Sequence, residues 1–411
     1  MSYSRIYIAW IVSTAFFFYQ YMLRGLPNIL SKEIFDTFKI TAEEFGSLGS
    51  IYLFTYGILQ IPIGFLLDRV NLHKIALRAI LSCISGALIF SISKDFYIMQ
   101  VSRFILALGS ATALGITLKI ISSNFEGVTR SFFSGLTLTI GVLGPILGGK
   151  IVEIVLHFNS WRTATIILSL SGFILFILSF FFLSNIRHEV TSNGFKNILS
   201  QISHVFNRRI ILYSVIAGGI YTPVCVFGDL WGVKFLIAKF SINQSEAIDI
   251  CLSLYIGLAI GSLILPYLSE KINGLHSVII LSLLINGGLF SIIIFSESIS
   301  IKNLYFLVVS IGFFCGSEMI CFNAAWRIVP RDCTALTVGI INSLSLIFNG
   351  IFQHIVGVLI DMMWDGKRSP EGIRIYSEDN YVIGISSIPI VLFLSFAMCL
   401  ILLQRSKKSI L

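Results

Sequence analysis

Apolar residues run through this chain in long blocks, broken by short polar joints. A helix that crosses a bilayer needs about 20 predominantly apolar residues. Twelve blocks meet that length, over 5–30, 45–67, 74–93, 96–122, 131–155, 161–184, 210–232, 246–269, 276–296, 302–326, 335–360 and 381–403. Together with their joints they use up the 411 residues and leave no stretch for a soluble domain of ordinary size. The pattern predicts an all-α membrane protein with twelve transmembrane helices. The longest joint lies between spans six and seven. Within it Phe195, Ile198, Leu199, Ile202, Val205 and Phe206 follow helical spacing, with Lys196, Arg208 and Arg209 supplying charge. It reads as an amphipathic helix on the membrane surface or as a plain linker. The expected organisation is a six-helix bundle over 1–184, this connection over 185–209, and a second six-helix bundle over 210–411.

Composition narrows the picture. Hydrophobic residues make up 56% of the chain and charged residues 12%, and the mean hydropathy is +0.90. Soluble globular chains carry about 25% charged residues, so lipid must be the solvent here. The net charge of +8 sits mainly in the joints, where it sets topology rather than binding nucleic acid. With the N-terminus cytoplasmic, the inner joints hold 16 Lys and Arg and the outer ones 12. Both termini are therefore expected on the cytoplasmic side. Seven cysteines show no CxxC spacing and six fall in apolar blocks, so neither a disulfide nor a metal site is expected. The first block lacks a small-x-small cleavage site and reads as a retained span rather than a signal peptide.

One joint stands out: Gly64-Phe-Leu-Leu-Asp-Arg-Val-Asn-Leu-His-Lys74, between spans two and three. A degenerate copy follows span eight, Pro266-Tyr-Leu-Ser-Glu-Lys-Ile-Asn273, at an offset of 202 residues. An offset near half the chain length implies two homologous halves. With twelve spans, these features resemble the major facilitator superfamily. Its G-x-x-x-D-R-x-G-x-R-K signature matches at Gly64, Asp68, Arg69 and Lys74 and departs at Asn71 and His73. Asn71 replaces the usual Gly but tolerates positive φ. Arg103-Phe-Ile-Leu-Ala-Leu-Gly109 is similar to the superfamily's R-x-x-x-G-x-G stretch, with Ala107 for the first Gly, and Gly144-Pro-Ile-Leu-Gly-Gly149 to its G-P-x-x-G-G stretch. Tyr19-Gln-Tyr-Met-Leu-Arg24 is similar to span one of organic-anion and organophosphate transporters. The run from Gly219 to Gly232 resembles bacterial members related to lysosomal dipeptide transporters.

The resemblance implies a secondary transporter, two bundles about a central site, and a bacterial inner-membrane location. It places Asp68 opposite the start of span eleven, near Thr334 and Ala335. There the carboxylate meets a helix N-terminus and makes, with Arg69 and Lys74, a latch. Glu270 and Lys271 form a weaker mirror copy, and Gly144 and Pro145 allow span five to bend.

Ionisable groups inside a span are costly and carry a functional expectation. Arg103 lies about two turns inside span four, with Ser110 and Thr117 on its face; it reads as a cation meeting an anionic solute or as a structural, snorkelling Arg. Arg24 with Gln20 forms an i, i+4 pair in span one, followed by Gly25 and Pro27, where the helix is expected to loosen. Its readings are a bidentate anion contact and a headgroup anchor. Glu318, read as the only carboxylate so deep, is the candidate proton carrier, against a permanently paired Glu. Polar stripes run along span two (Tyr52, Tyr56, Gln60), span seven (Tyr221, Thr222, Cys225, Asp229) and span eleven (Asn342, Ser345, Asn349, Gln353). They fit the lining of a wet cavity or hydrogen bonding between helices. Tyr56, Gln60, Tyr221, Asn342 and Asn349 join Gln20, Arg24 and Arg103 as candidate solute contacts.

The expected function is secondary transport of a small polar, anionic solute such as a dipeptide, amino acid or organic acid. The expected partners are that solute, a proton or other coupling ion, and the lipid bilayer. No cofactor and no nucleic acid are expected, and a monomer is. No phosphate-cradling P-loop motif is present. An embedded enzyme is disfavoured, since His354 is the only histidine well inside a span. A non-transporting solute receptor on the same fold is the remaining alternative.

Overall fold

A computed structural model describes residues 3–184, 205–330 and 333–408. The expected surface helix within 185–209 falls almost wholly outside the described residues. Among the described residues, eleven helical stretches are long and apolar enough to cross a membrane. The remaining expected span is the 28-residue helix Ala42–Arg69, about 42 Å at 1.5 Å per residue. Ends agree with the sequence pattern to within a few residues except in span one, where helix resumes as far as Phe38, and in span seven. That span continues to Phe240, because Gly232–Phe240 extends the helix beyond Trp231.

Several spans are broken, and the breaks recur along the chain. Span four is Phe96–Ser110 followed by Ala113–Asn124, and span ten is Ile301–Cys315 followed by Glu318–Trp326. Span one stops at Arg24 and resumes as Leu26–Ile29 and Ser31–Phe38, while span seven contains a wide π-helical stretch, Pro223–Trp231. Irregularity at matching places in the two halves agrees with the repeat seen in the joints. In span one the cause is local: Pro27 has no N–H to bond the Leu23 carbonyl four residues back.

Packing divides the chain into two units. The first is Met1–Leu26 with Ile51–Ile198, and the second is Pro27–Ser50 with Leu199–Leu411. This division is drawn differently from the expected bundles, because residues 27–50 pack with the later residues. A side chain at Gly46 would put its Cβ 2.8 Å from the Gln353 carbonyl oxygen, so the start of helix Ala42–Arg69 lies directly on helix Thr334–Met362.

The joint between spans eleven and twelve caps that same helix start. Asp361 accepts from the Glu43 N–H at 2.7 Å and from the Arg374 guanidinium at 2.9 Å, and the Tyr376 hydroxyl accepts from the Ala42 N–H at 2.9 Å. Tyr376 in turn donates to Asp361. Helix-start N–H groups have no partners within their own helix; here a carboxylate and a phenol from elsewhere in the chain supply them, at the end where the dipole favours negative charge. Burial, then the bond to Asp361, push the Tyr376 phenol above its ordinary pKa. A raised pKa means this contact is fully present below about pH 10 and is lost as pH rises through the raised value. Trp364, stacked under Arg374 at 4.4 Å, should report the loss as an alkaline emission change. Tyr376→Phe should abolish that change, and its persistence in the variant would assign it elsewhere.

Candidate functional site

The first unit builds its polar centre around the break in span one. The last carbonyls of helix Tyr3–Arg24 lack intrahelical donors beyond Gly25. Arg103, 3% exposed, reaches them from span four: its Nη1 donates to the Leu23 carbonyl at 3.1 Å and its Nη2 to the Arg24 carbonyl at 2.9 Å. Its guanidinium also lies 4.5 Å from the centre of the Tyr52 ring. A cation at a helix C-terminus offsets the negative end of the dipole. Two arms of the fork bond main chain, so Arg103 is buried against span one rather than snorkelling to the surface.

Arg24, the last residue of that helix, is buried, with its guanidinium 5.4 Å from the Tyr21 ring. It is close enough to Tyr52 and Tyr56 for its charge to act on both. Tyr52 donates to Gln20 Oε1 at 3.1 Å, and the Tyr52 and Tyr56 rings lie 6.0 Å apart. Gln20, Arg24, Tyr56 and Arg103 are thus brought together, with Tyr52 at their centre. Gln60 is placed differently: it donates at 3.2 Å to the Ala111 carbonyl, freed by the break in span four. Among the described residues, the buried ionic groups of this unit are the two arginines. Gly144 and Pro145 begin the second half of span five after a break at Leu143. A Cβ on Gly144 would fall against the Phe18 carbonyl and 2.9 Å from Tyr21 Cβ, so span five presses onto span one just before its break.

The second unit has its own polar centre, on the π-helical stretch of span seven. Such widened turns leave main-chain groups in need of partners and often mark functional sites. Asn28 supplies several of them: its amide donates to Phe227 O at 3.1 Å and Gly228 O at 2.6 Å, while its carbonyl accepts from Val233 N at 2.9 Å. Gln353 donates to Cys225 O at 2.7 Å, and Trp231 donates back to Gln353 O at 3.1 Å. Asp229 accepts from the Tyr255 hydroxyl at 2.6 Å. It is as buried as Glu318, so Glu318 is not the only deep carboxylate; the longer span seven puts Asp229 well inside the helix. Glu318 starts the helix Glu318–Trp326, where the dipole favours its anion. Tyr221 is buried and Asn342 half-buried, and Asn349 donates to the Gly218 carbonyl at 3.0 Å. Asn28 gave no signal in the sequence, since its role depends on a stretch about 200 residues away.

The joints hold one correction. Asn71 does not use positive φ: at φ −56° it caps helix Leu72–Ile92, accepting from His73 N at 2.9 Å. Its downstream copy, Asn273, is the one in the left-handed region, at φ 50°. Glu270 pairs with Arg327 at 2.6 Å. Arg69 and Lys74 are exposed; the side chains of Asp68, Thr334 and Ala335 lie outside the described residues, and with them the expected latch. His354 lies 3.8 Å from Glu43 on a half-exposed face.

Twelve spans, paired breaks and a buried polar centre in each unit are the setting for comparison with known proteins. The family model of the Major Facilitator Superfamily matches residues 12–353. The chain belongs to this superfamily. It is a multi-pass membrane protein. The hexuronate transporter of Bacillus subtilis (strain 168) is 22% identical over 267 residues, 61% of this chain and 62% of that protein. The uncharacterized transporter YybO of the same organism is 24% identical over 144 residues, which span 35% of this chain and 33% of YybO. The chain thus matches from about a third to under two thirds of the length of these curated relatives. Among solved structures, a bacterial homologue of the human lysosomal transporter Spinster superposes with TM-score 0.77 at 15% identity, covering 97% of each chain. The nucleoside transporter NupG does so with TM-score 0.75 at 14% identity, covering 95% of this chain and 99% of that one. At such identities the likeness is one of fold.

Proposed function

We propose that this chain is a secondary transporter carrying a small anionic organic solute by alternating access, with both termini cytoplasmic. The observation that carries the reading is the pair of buried guanidiniums at the break in span one, beside Gln20, Tyr52 and Tyr56. An arginine fork matches a carboxylate or phosphate bidentately. Arg24, buried beside Tyr21, Gln20, Tyr52 and Tyr56, is the group assigned to the solute, with those side chains orienting it. The relative named for hexuronate supports the same chemistry, since a hexuronate is a sugar bearing a carboxylate. The solute class is a small carboxylate. The buried carboxylates Glu318 and Asp229 are the groups assigned to proton coupling.

A thermal-shift screen of sugar acids, dipeptides, amino acids and phosphate esters identifies a ligand for uptake into vesicles. Arg24→Ala should then lower uptake roughly a hundredfold or more, the usual loss when one partner of a buried charge pair is removed. Arg24→Lys should recover part of it. Undiminished uptake in Arg24→Ala would end the anion assignment. Glu318→Gln should leave uptake insensitive to an imposed pH gradient; an unchanged gradient response removes Glu318 from coupling. Ligand binding without counterflow would point to a receptor instead.

A further inference from the structure

The second unit holds a pocket of about 500 Å³, away from the buried groups assigned above. Arg208, Arg209 and Arg327 line it, with Tyr213 and His276 joined by a 2.8 Å hydrogen bond in its wall. Leu212, Leu275 and Leu402 complete it with aliphatic surface. No acidic side chain is among its described lining residues. Glu270 pairs with Arg327 from outside the lining, which leaves Arg208 and Arg209 as the larger share of the positive charge.

Two observations narrow the ligand. The first is depth. Arg208 and Leu275 begin spans seven and nine, Arg327 directly follows span ten, and Leu402 lies in the last turns of the helix of span twelve. Successive spans alternate in direction, so all four ends meet one membrane face, at the level of lipid headgroups. The second is which groups are available. Asn207 caps the helix below, accepting from Arg209 N at 3.0 Å and Ile210 N at 3.1 Å, so its first amides are occupied and the guanidiniums are the binding groups. Guanidiniums set above an aliphatic wall suit a phosphate with a hydrocarbon chain attached; basic pockets between spanning helices are a recognised home for anionic headgroups.

We propose that this pocket binds the phosphate headgroup of an anionic membrane lipid, with Arg208 and Arg209 holding the phosphate and Leu212 and Leu275 facing its first chain carbons. The test uses the purified full chain in detergent, titrated with phosphatidylglycerol, with phosphatidylcholine, or with glycerol 3-phosphate, and followed by thermal unfolding and native mass spectrometry. Phosphatidylglycerol should raise the unfolding temperature and be retained as a bound adduct, and phosphatidylcholine should do neither. The double variant Arg208→Gln/Arg209→Gln should weaken phosphatidylglycerol binding roughly thirtyfold, from the usual contribution of a basic residue near an anionic lipid. Leu212→Trp, which fills the pocket and keeps its charge, should weaken it too and guards against a variant that simply misfolds. Equal response of wild type and both variants would overturn the site. An equal response to glycerol 3-phosphate would overturn the lipid as its occupant.

Discussion

Arg103→Ala should destabilise the first unit by about 3–5 kcal/mol, because the loss of a buried cation's hydrogen bonds leaves its partners buried and unpaired. Two main-chain carbonyls, those of Leu23 and Arg24, lose their donors at a buried break, where their own helix offers none. The stacking on Tyr52 goes as well, and with it the support for the Tyr52–Gln20 hydrogen bond. Arg103→Lys should recover about half of the loss, since one ammonium cannot reproduce a fork aimed at two oxygens. Thermal unfolding in detergent measures both. A midpoint for Arg103→Ala equal to wild type would show that the span-one break is held by something else, and would return Arg103 to the solute-binding reading. Combined with the Arg24 series, this separates the two arginines: Arg103 should govern unfolding and Arg24 uptake.

The second large effect is expected at Gly261. Spans eight and ten approach most closely through two small-residue pairs, Gly257 with Gly261 and Gly312 with Gly316. A Cβ at Gly261 would fall inside contact of the Phe313 carbonyl, one at Gly257 against Val309 O, and one at Gly312 against Leu254 O. In each case the obstacle is backbone, which cannot turn aside as a side chain can. Helices meet this closely in lipid because packing, rather than exclusion of water, drives their association. Gly261→Leu should therefore cost about 3 kcal/mol or more, at the upper end of overpacking effects, and Gly261→Ala less. Gly288, which has open space around it, serves as the control: Gly288→Ala should unfold like wild type. A Gly261→Leu protein as stable as this control would mean that spans eight and ten can separate without loss.

Much of the fold was legible because lipid imposes a simple rule on the chain. Each span must be long, apolar and internally hydrogen-bonded, so its limits can be read from charge and hydropathy alone. The Gly25–Pro27 break was legible for a local reason as well. The facing Gly-x-x-x-Gly pairs of spans eight and ten emerge only from the structure, which sets those two helices side by side. The candidate centre was legible in part. Gln20, Arg24, Tyr56 and Arg103 do meet in the first unit, but spacing along span four gives no account of where a long guanidinium ends. Whether Arg103 meets a solute or a carbonyl depends on the break in another helix about 80 residues earlier.

The sequence by itself determined the solvent, the number of spans, most of their limits and their two-fold repeat, because these follow from local polarity summed over about 20 residues. Tertiary structure decided which polar groups are occupied. Asn28 closes the widened turn of span seven, Asp361 and Tyr376 cap helix Ala42–Arg69, and Glu270 takes Arg327. Each of these pairings joins residues far apart in the chain, and a buried hydrogen bond depends on distance and direction in space, which sequence spacing does not record.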